Sequence, residues 1–272
     1  MQKMRYNEKM KKLYSSRTIP ASCRTKELIV FDLDGTLTES KANLKPDIAR
    51  MLKALLQKKK VVVIGGGKYE QFRVQFIARL HCPKELLPKL FLFPATATSF
   101  YRYQNGWRRV YAHILTLREK KNILSAFRSA FRETHYVPPR RVYGVVIENR
   151  GTEETFSALG QHAPLALKEK WNITEDIRPR LIRALRKHLK KFSIREGGLT
   201  SIDITEPGID KAYGIRQIER RLKVPIKKML FIGDALYPGG NDYAAKRTGV
   251  LCVAVRGPED TKKIIKKLVA RI

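Results

Sequence analysis

Short apolar runs alternate with amphipathic stretches toward both ends of this chain. The apolar runs are rich in β-branched and aromatic residues, and they occupy 28–31, 61–64, 90–93, 229–232 and 250–255. Apolar residues recur at helical spacing in other stretches, at 46–56, 72–80, 215–222 and 264–269. The runs predict buried strands and the stretches predict amphipathic helices. Their alternation predicts an α/β fold with a Rossmann-like parallel sheet that helices cover on both faces.

The pattern changes in the middle of the chain, over residues 111–205. It predicts a helix, two strands, a basic helix and a hairpin, at 116–134, 142–149, 154–159, 177–191 and 192–205. A strand-rich segment between two halves of an alternating pattern predicts an inserted α+β domain. The core domain would then comprise 27–110 and 206–272. Residues 1–26, with 8 basic residues and 1 acidic residue, would form a basic, poorly ordered N-terminal extension.

Composition narrows the class of protein. The 272 residues include 56 Lys+Arg and 25 Asp+Glu, a formal net charge of +31, and 43% are hydrophobic, which suffices for a packed core. No apolar run approaches the ~18 residues of a membrane span, and no apolar segment follows the basic N-terminus as in a secretory signal. Three cysteines far apart in sequence predict a reducing, cytoplasmic location. The positive charge favours anionic partners, either polyanions or small phosphates.

The segment with the clearest chemistry follows the first predicted strand and reads DLDGT. Ligands of parallel sheets bind beyond the carboxyl ends of the strands, where Asp32 and Asp34 would lie. Their oxygens suit Mg²⁺, which binds one or two carboxylates together with a phosphate. Asp32 is then the candidate nucleophile toward phosphorus, and Asp34 the candidate general acid and base. Gly35 would let the backbone approach a phosphate, and Thr36 would add a hydroxyl.

A second strand end near the C-terminus carries matching chemistry. Asp234 directly follows a predicted strand, and Asp242 stands in the loop beyond it. We predict that these two carboxylates complete a Mg²⁺ site with Asp32 and Asp34. Lys211 opens a predicted helix, and its ammonium would offset the negative charge that repels an anionic substrate.

A glycine run ends the second predicted strand. Gly65, Gly66 and Gly67 lack the spacing of a P-loop. As a loop that leads into a helix, their backbone N–H groups are candidates for holding a phosphate. A simple tight turn explains the run equally well.

The order of these motifs resembles that of the haloacid dehalogenase-like (HAD) superfamily. DxDGT, a glycine-rich second strand end, a lysine and a GD…ND pair follow one another as in that superfamily, over 27–272. An insert between the second and third motifs is similar to the C2b cap of the Cof-type (IIB) branch. Within that branch, FIGDALYPGGND and PGIDKAYGI most resemble the eukaryotic-type phosphomannomutases. The resemblance implies a HAD fold with an inserted α+β cap domain and Mg²⁺ as cofactor.

The resemblance also implies a set of substrate contacts. VIENRGTEETFSALG looks like the mutase cap segment that recognises the second phosphate of a sugar bisphosphate. Carried over position by position, the contacts fall on Lys41, Arg150, Gln161, Lys168, Ser201 and Asp203.

Several of these positions depart from the family pattern. Gln161 stands where a mutase has arginine, which removes a charge and a forked donor. Gly67 replaces a serine of the mutase loop, and Gly65 lacks the hydroxyl that related phosphatases commonly carry. The lost hydroxyl weakens the expected grip on a phosphate for either activity. The charge missing at Gln161 weakens retention of a bisphosphate, so the sequence favours hydrolysis over isomerisation.

The main prediction is therefore a Mg²⁺-dependent phosphatase that hydrolyses a small phosphorylated metabolite, a phosphosugar, through an aspartyl-phosphate. The alternative is a phosphohexomutase that keeps the bisphosphate bound and returns the phosphoryl group. A third hypothesis, a nucleic-acid-associated protein on the same scaffold, rests on 8 basic and no acidic residues over 178–195. It implies weak RNA affinity through a basic surface. Mutase relatives often dimerise through the cap, so the resemblance also allows a homodimer.

Overall fold

The computed structural model describes residues 20–40, 42–174 and 176–270. Residues 1–19, most of the predicted extension, and Lys41, a predicted substrate contact, lie outside the described residues. The described chain divides into two compact units. The core unit runs to Val110 and resumes at Asp210, and the inserted unit is Tyr111–Ile209. Within the described residues, no helix has the length and apolar character that crossing a membrane requires.

The described strands belong to two sheets. In chain order they are β1 (Leu28–Asp32), β2 (Lys60–Ile64), β3 (Leu90–Phe93), β4 (Ser99–Tyr103), β5 (Trp107–Ala112), β6 (Ile147–Asn149), β7 (Glu154–Ser157), β8 (Ser193–Glu196), β9 (Ser201–Thr205), β10 (Met229–Gly233) and β11 (Leu251–Ala254). The larger sheet has the order β11-β10-β1-β2-β3-β4-β5, and its first five strands in that order are parallel. β4 is antiparallel to β3. The smaller sheet is antiparallel, with the order β6-β7-β9-β8.

The helices fall between the strands largely where the apolar spacing predicts them. They are α1 (Pro46–Lys58), α2 (Tyr69–Phe72, continued by π-helical Arg73–Ile77 and by Ala78–Leu80), α3 (Leu117–Glu133), α4 (Leu165–Thr174), α5 (Arg178–His188), α6 (Lys211–Leu222) and α7 (Pro258–Val269). Short 3₁₀ turns cover Ala21–Cys23, Leu87–Lys89, Ile226–Lys228 and Tyr243–Thr248. A turn at Pro94–Ala97 contains left-handed backbone.

The core unit owes its fold to apolar residues on both faces of its central strands. All five residues of β1 are buried, as expected for a parallel strand that helices cover on both sides. On one face, Phe31 packs into a cluster that includes Leu52 of α1 and Ile265 of α7. Cys23, just before β1, is fully buried in the same cluster.

Strand register carries the candidate residues to one edge of this sheet. β1 pairs in parallel with β2 and β10, so Asp32 lies opposite Ile64 and one residue past the pair Phe31–Ile232. The carboxyl ends of β1, β2 and β10 therefore lie side by side, and they carry Asp32, Gly65 and Asp234 respectively. This is the edge at which open parallel sheets bind ligands.

The inserted unit packs helices against one face of its four-stranded sheet. Phe127 of α3, Leu185 of α5, Phe156 of β7 and Ile202 of β9 are all fully buried in one cluster. Because strand side chains alternate, Thr155 and Asp203, which are register partners, lie on the opposite face. An α/β core and an α+β insert agree with the predicted fold class.

The sequence pattern fails at two places in the inserted unit. The strand expected over 142–149 covers only Ile147–Asn149, because Gly144 adopts φ +82°, which extended strands do not use. Helix α4 was not predicted. Its apolar residues do not share one buried face, since Trp171 is buried whereas Leu165 and Ile173 are exposed. The sequence therefore lacks the amphipathic pattern from which a helix is predicted.

Candidate active site

A buried lysine and a buried aspartate form the centre of the site. Asp210 caps α6 by accepting a hydrogen bond from the Tyr213 N–H at 2.8 Å, which starts the helix at Lys211. Lys211 is 2% exposed, and its Nζ donates to Asp32 Oδ1. The same Nζ lies 3.2 Å from Asp242 Oδ1. The structure thus brings Lys211 and Asp32 together, and the effect of Lys211 on an anionic substrate stays a prediction.

Three carboxylates converge beside this lysine. Among the described residues, Asp32, Asp234 and Asp242 offer oxygens that lie within 4.8 Å of one another. Asp242 is fully buried; its Oδ2 accepts the Ala235 N–H at 3.1 Å, and its Oδ1 faces Lys211 Nζ. A hard oxygen set of three carboxylates beside a single ammonium fits Mg²⁺.

Burial and mutual repulsion explain the electrostatics of this cluster. Burial raises the pKa of Asp32, Lys211 lowers it, and the charges of Asp242 and Asp234 raise it again, for a net upward shift. Burial and the Asp242 charge raise the pKa of Asp234 to about 6. The pKa of Lys211 is raised: burial opposes its charge, but Asp32 and Asp242 outweigh that penalty. One lysine leaves surplus negative charge that a divalent cation would offset.

Gly35 and Thr36 contact Asp234, and their predicted role on a phosphate stays a prediction. Gly35 has φ +84°, and a Cβ built there would lie 2.6 Å from Asp234 Oδ2, so only glycine fits. Its N–H is occupied by the Thr38 carbonyl at 2.7 Å. Thr36 Oγ1 donates to Asp234 Oδ1 at 3.1 Å. Both residues thus orient a carboxylate of the cluster.

Asp34 is not one of the three carboxylates that group together among the described residues, and its predicted role as a metal ligand stays a prediction. Gln75 of α2 donates from Nε2 to Asp34 Oδ1 at 2.9 Å and to Thr38 Oγ1 at 2.8 Å. Gln75 was not among the residues predicted from the sequence. The available signal was a polar residue on the apolar face of a helix, between Phe72 and Phe76, which are both fully buried.

Several backbone groups of the glycine loop form hydrogen bonds within the core unit. The Gly65 N–H donates to the Phe93 carbonyl at 3.3 Å, so this amide is not free for a phosphate, contrary to its predicted role. The carbonyls of Gly65 and Gly67 accept the N–H groups of Thr96 and Ala95 at 2.9 and 2.8 Å. A phosphate role stays a prediction for Gly66 and Gly67.

In the inserted unit, the predicted phosphate contact Arg150 is surrounded by carboxylates. Its guanidinium lies 2.7 Å from Glu153, 3.0 Å from Glu148 and 4.0 Å from Asp203. Burial first, and then the charge of Asp203, raise the pKa of Glu153 to about 7. Asp203 also accepts a hydrogen bond from Thr155 Oγ1 at 2.9 Å. The charge of Arg150 is therefore already neutralised within this unit.

The other predicted contacts of this unit form two groups. Ser201 stands two residues before Asp203 on β9, so both side chains share a face of the sheet. Gln161 Nε2 lies 3.0 Å from His162 Nε2, and the Gln161 carbonyl accepts from Lys168 Nζ at 3.4 Å. The structure thus brings Gln161 and Lys168 together, and brings Arg150 together with Asp203.

Comparison with solved structures defines the fold class. A Plasmodium falciparum IMP-nucleotidase has a TM-score of 0.66 with this chain at 16% identity, and the match covers 89% of this chain and 68% of that one. An Aspergillus fumigatus trehalose-6-phosphate phosphatase has a TM-score of 0.56 at 16% identity, covering 92% and 97%. With the DxDGT and GD…ND strand ends, these neighbours identify a HAD-superfamily fold.

Comparison with known sequences narrows the class to a family. The family described as "Eukaryotic phosphomannomutase" matches residues 48–271, so the chain belongs to that family of enzymes. The phosphomannomutase of Encephalitozoon cuniculi is 28% identical over 266 residues, which is 91% of this chain and 95% of the relative. That of Saccharomyces cerevisiae is 27% identical over 249 residues, 89% and 93%. These relatives support the mutase alternative of the sequence analysis better than its main prediction, a phosphatase.

Proposed function

We propose that this chain is a phosphohexose mutase that moves a phosphoryl group between the 1- and 6-oxygens of a hexose phosphate, as the names of its relatives indicate. The observation that carries the proposal is Asp32 held by the buried Lys211 at the shared edge of β1 and β10. A carboxylate fixed by an ammonium at a strand end suits attack on phosphorus.

The chemistry divides between two aspartates. An oxygen of Asp32 attacks phosphorus, the bond from phosphorus to the sugar oxygen breaks, and Asp34 gives a proton to the departing oxygen. In the second half, Asp34 takes a proton from the accepting hydroxyl, which attacks phosphorus and releases Asp32. Lys211 Nζ, bonded to Asp32, stabilises the negative charge that spreads over the transferring group.

The acidic cluster provides the place for the cofactor. Asp32, Asp234 and Asp242 would hold Mg²⁺, in keeping with their oxygen donors and surplus negative charge. Bound there, Mg²⁺ would draw the phosphate toward Asp32 and neutralise charge on the transferring oxygens. Thr36 and Gly35 keep Asp234 in position for this role.

Hydrolysis of a phosphosugar is the second candidate, and the inserted unit favours it. A mutase retains a bisphosphate, which needs a cationic second phosphate site. Here Gln161 carries no charge, and Arg150 is paired with Glu148 and Glu153. Such a site would let the sugar leave after one transfer, and water would then accept the phosphoryl group from Asp32.

A single assay separates the two candidates. Mannose 1-phosphate is supplied with Mg²⁺ and a catalytic amount of hexose 1,6-bisphosphate, and both mannose 6-phosphate and inorganic phosphate are measured. We expect the 6-phosphate to accumulate faster than inorganic phosphate. Inorganic phosphate without isomer would establish the phosphatase instead.

The same assay tests the nucleophile. Asp32→Asn should remove both products, because an amide cannot attack phosphorus. Asp47→Asn, at the exposed start of α1, is the matched control and should keep full activity. Full activity in Asp32→Asn would overturn the mechanism for either reaction.

A further inference from the structure

Two glutamines of α2 form a hydrogen-bonded chain that ends on Asp34. Gln71 Nε2 donates to Gln75 Oε1 at 2.8 Å. Gln75 Nε2 donates in turn to Asp34 Oδ1 at 2.9 Å and to Thr38 Oγ1 at 2.8 Å. Thr38 Oγ1 donates onward to the Leu33 carbonyl at 3.3 Å. Each member therefore orients the next, from the helix to the carboxyl group of Asp34.

The packing of α2 leaves Gln75 little freedom. Gln75 is 3% exposed and lies between Phe72 and Phe76, which are both fully buried in the core cluster. The stretch Arg73–Ile77 is a π-helical turn, a feature that often occurs at functional sites. A buried amide with both donors used is an expensive arrangement if it only fills space.

Gly67 makes room for the first member of the chain. Its φ is not in the left-handed region, so its conformation does not require glycine. A Cβ at this position would, however, overlap Gln71 Oε1 and lie 2.6 Å from Gln71 Cδ, so the flexible end of Gln71 would have to move. A side chain at Gly67 would therefore displace the Gln71 amide from Gln75.

We propose that Gln75, supported by Gln71, is a positioning residue for the proton transfers of Asp34; this rests on the function proposed above. The Gln75 N–H holds Oδ1 and so turns the other oxygen of Asp34 toward the sugar. When phosphorus passes to Asp32, the bond to the sugar oxygen breaks and that oxygen takes its proton from Asp34 Oδ2. The absence of a side chain at Gly67 leaves room for the Gln71 amide that supports Gln75.

Leaving-group dependence provides the test of this role. Single-turnover phosphoryl transfer to the enzyme is measured with mannose 1-phosphate, whose alkoxide needs a proton, and with 4-nitrophenyl phosphate, whose phenolate does not. For Gln75→Leu and for Gln75→Glu, we expect the rate with mannose 1-phosphate to fall about tenfold to a hundredfold, with KM within about twofold. The burst of 4-nitrophenolate should stay within about threefold.

Gln217→Leu is the matched control, a buried glutamine of α6 outside this chain of hydrogen bonds, and both rates should be kept. Equal losses with both substrates in the Gln75 variants would show a structural role and overturn the proposal, as would no loss. Native enzyme that is not phosphorylated on Asp32 by either substrate would instead defeat the proposed function.

A second test concerns Gly67 and leaves Gln75 itself in place. Gly67→Ser restores a hydroxyl near the predicted phosphate loop, yet we expect its transfer rate from mannose 1-phosphate to fall at least threefold. The transfer rate of Gln71→Ala should fall by a similar factor. The double variant should be no slower than Gln71→Ala alone, because both changes break the same hydrogen bond. A faster Gly67→Ser enzyme, or losses that multiply in the double variant, would overturn the proposal.

Discussion

At the scale of single residues, the site depends on charges that are buried together. Lys211 and Asp242 are both almost fully buried, and each needs the other as a partner. Breaking a buried ion pair by removing one partner is more costly than the pair itself is worth, because the remaining charge loses its compensation.

We predict that Lys211→Met destabilises the chain by about 3 kcal/mol at pH 7.5 without Mg²⁺. Adding Mg²⁺ should recover part of this loss, because the ion offsets the charge of Asp32 and Asp242 that the lysine leaves behind. Urea denaturation with and without Mg²⁺ measures both effects. Unchanged stability in the variant would contradict the buried pair.

Glu154 of β7 provides a pH test in the inserted unit. Burial first raises its pKa, Lys120 lowers it and Glu148 raises it further, to about 7. A raised carboxyl pKa means that the folded state favours the protonated form. Below its unfolded pKa the residue costs nothing, and as the pH rises through about 7 it destabilises the fold.

Glu154→Gln should therefore stabilise the inserted unit by about 1–2 kcal/mol at pH 8 and leave its stability unchanged at pH 4. Urea midpoints of variant and native chain at the two pH values check this. Glu119→Gln is the control: hydrogen bonds from Thr116 lower the pKa of Glu119, so this change should not stabilise at pH 8. Equal effects of Glu154→Gln at both pH values would contradict the role of burial.

At the scale of elements, the turn between β3 and β4 stores strain beside the glycine loop. Ala95, Thr96 and Ala97 have φ of 48°, 54° and 65°, a left-handed run without a glycine. Such backbone costs roughly 1–2 kcal/mol per residue. The run places the Ala95 and Thr96 N–H groups on the carbonyls of Gly67 and Gly65, so the strain shapes the predicted phosphate loop.

We expect Thr96→Gly to stabilise the core unit by about 0.5–1 kcal/mol, because glycine adopts left-handed backbone without penalty. Thr98→Gly should have the opposite sign: Thr98 has φ −74° and donates a hydrogen bond to the Ala95 carbonyl at 2.7 Å. Thermal unfolding of both variants gives the comparison. Destabilisation by Thr96→Gly would argue against the left-handed run.

At the scale of the whole molecule, charge is distributed unevenly. The chain has only 25 acidic residues and 56 basic ones, yet three of the acidic side chains lie together in one cluster. The surplus positive charge lies elsewhere, as on the exposed Arg183, Arg186 and Lys190 of α5 and the turn after it. Such a field draws anionic substrates toward the enzyme and favours polyanions at low salt.

We predict that the chain retains single-stranded RNA at 50 mM salt and releases it steeply by 300 mM, through counterion release. Replacing Arg183, Arg186 and Lys190 together by glutamate should reduce the salt slope by about two to three units, with phosphoryl transfer from mannose 1-phosphate unchanged. A filter-binding salt series tests this. Salt-insensitive or absent binding would remove nucleic acid as a partner.

The sequence by itself determined the fold class and the sheet edge to which the acidic strand ends lead. The two apolar runs that lead to Asp32 and Asp234 can be recognised from the local sequence as buried strands. Because these strands are parallel neighbours, their carboxyl ends lie at the same edge of the sheet. The motif order then implied a HAD fold, and Lys211 was expected beside Asp32, where it lies.

Only the tertiary structure decided how polar groups share partners. Thr36 was expected on a phosphate and donates to Asp234; Gln75 was not singled out and holds Asp34. Arg150 was expected as a substrate contact and forms an ion pair with Glu153. A hydrogen bond or ion pair depends on side chains that meet from distant segments, and no spacing in the sequence records which of several acceptors a donor will reach.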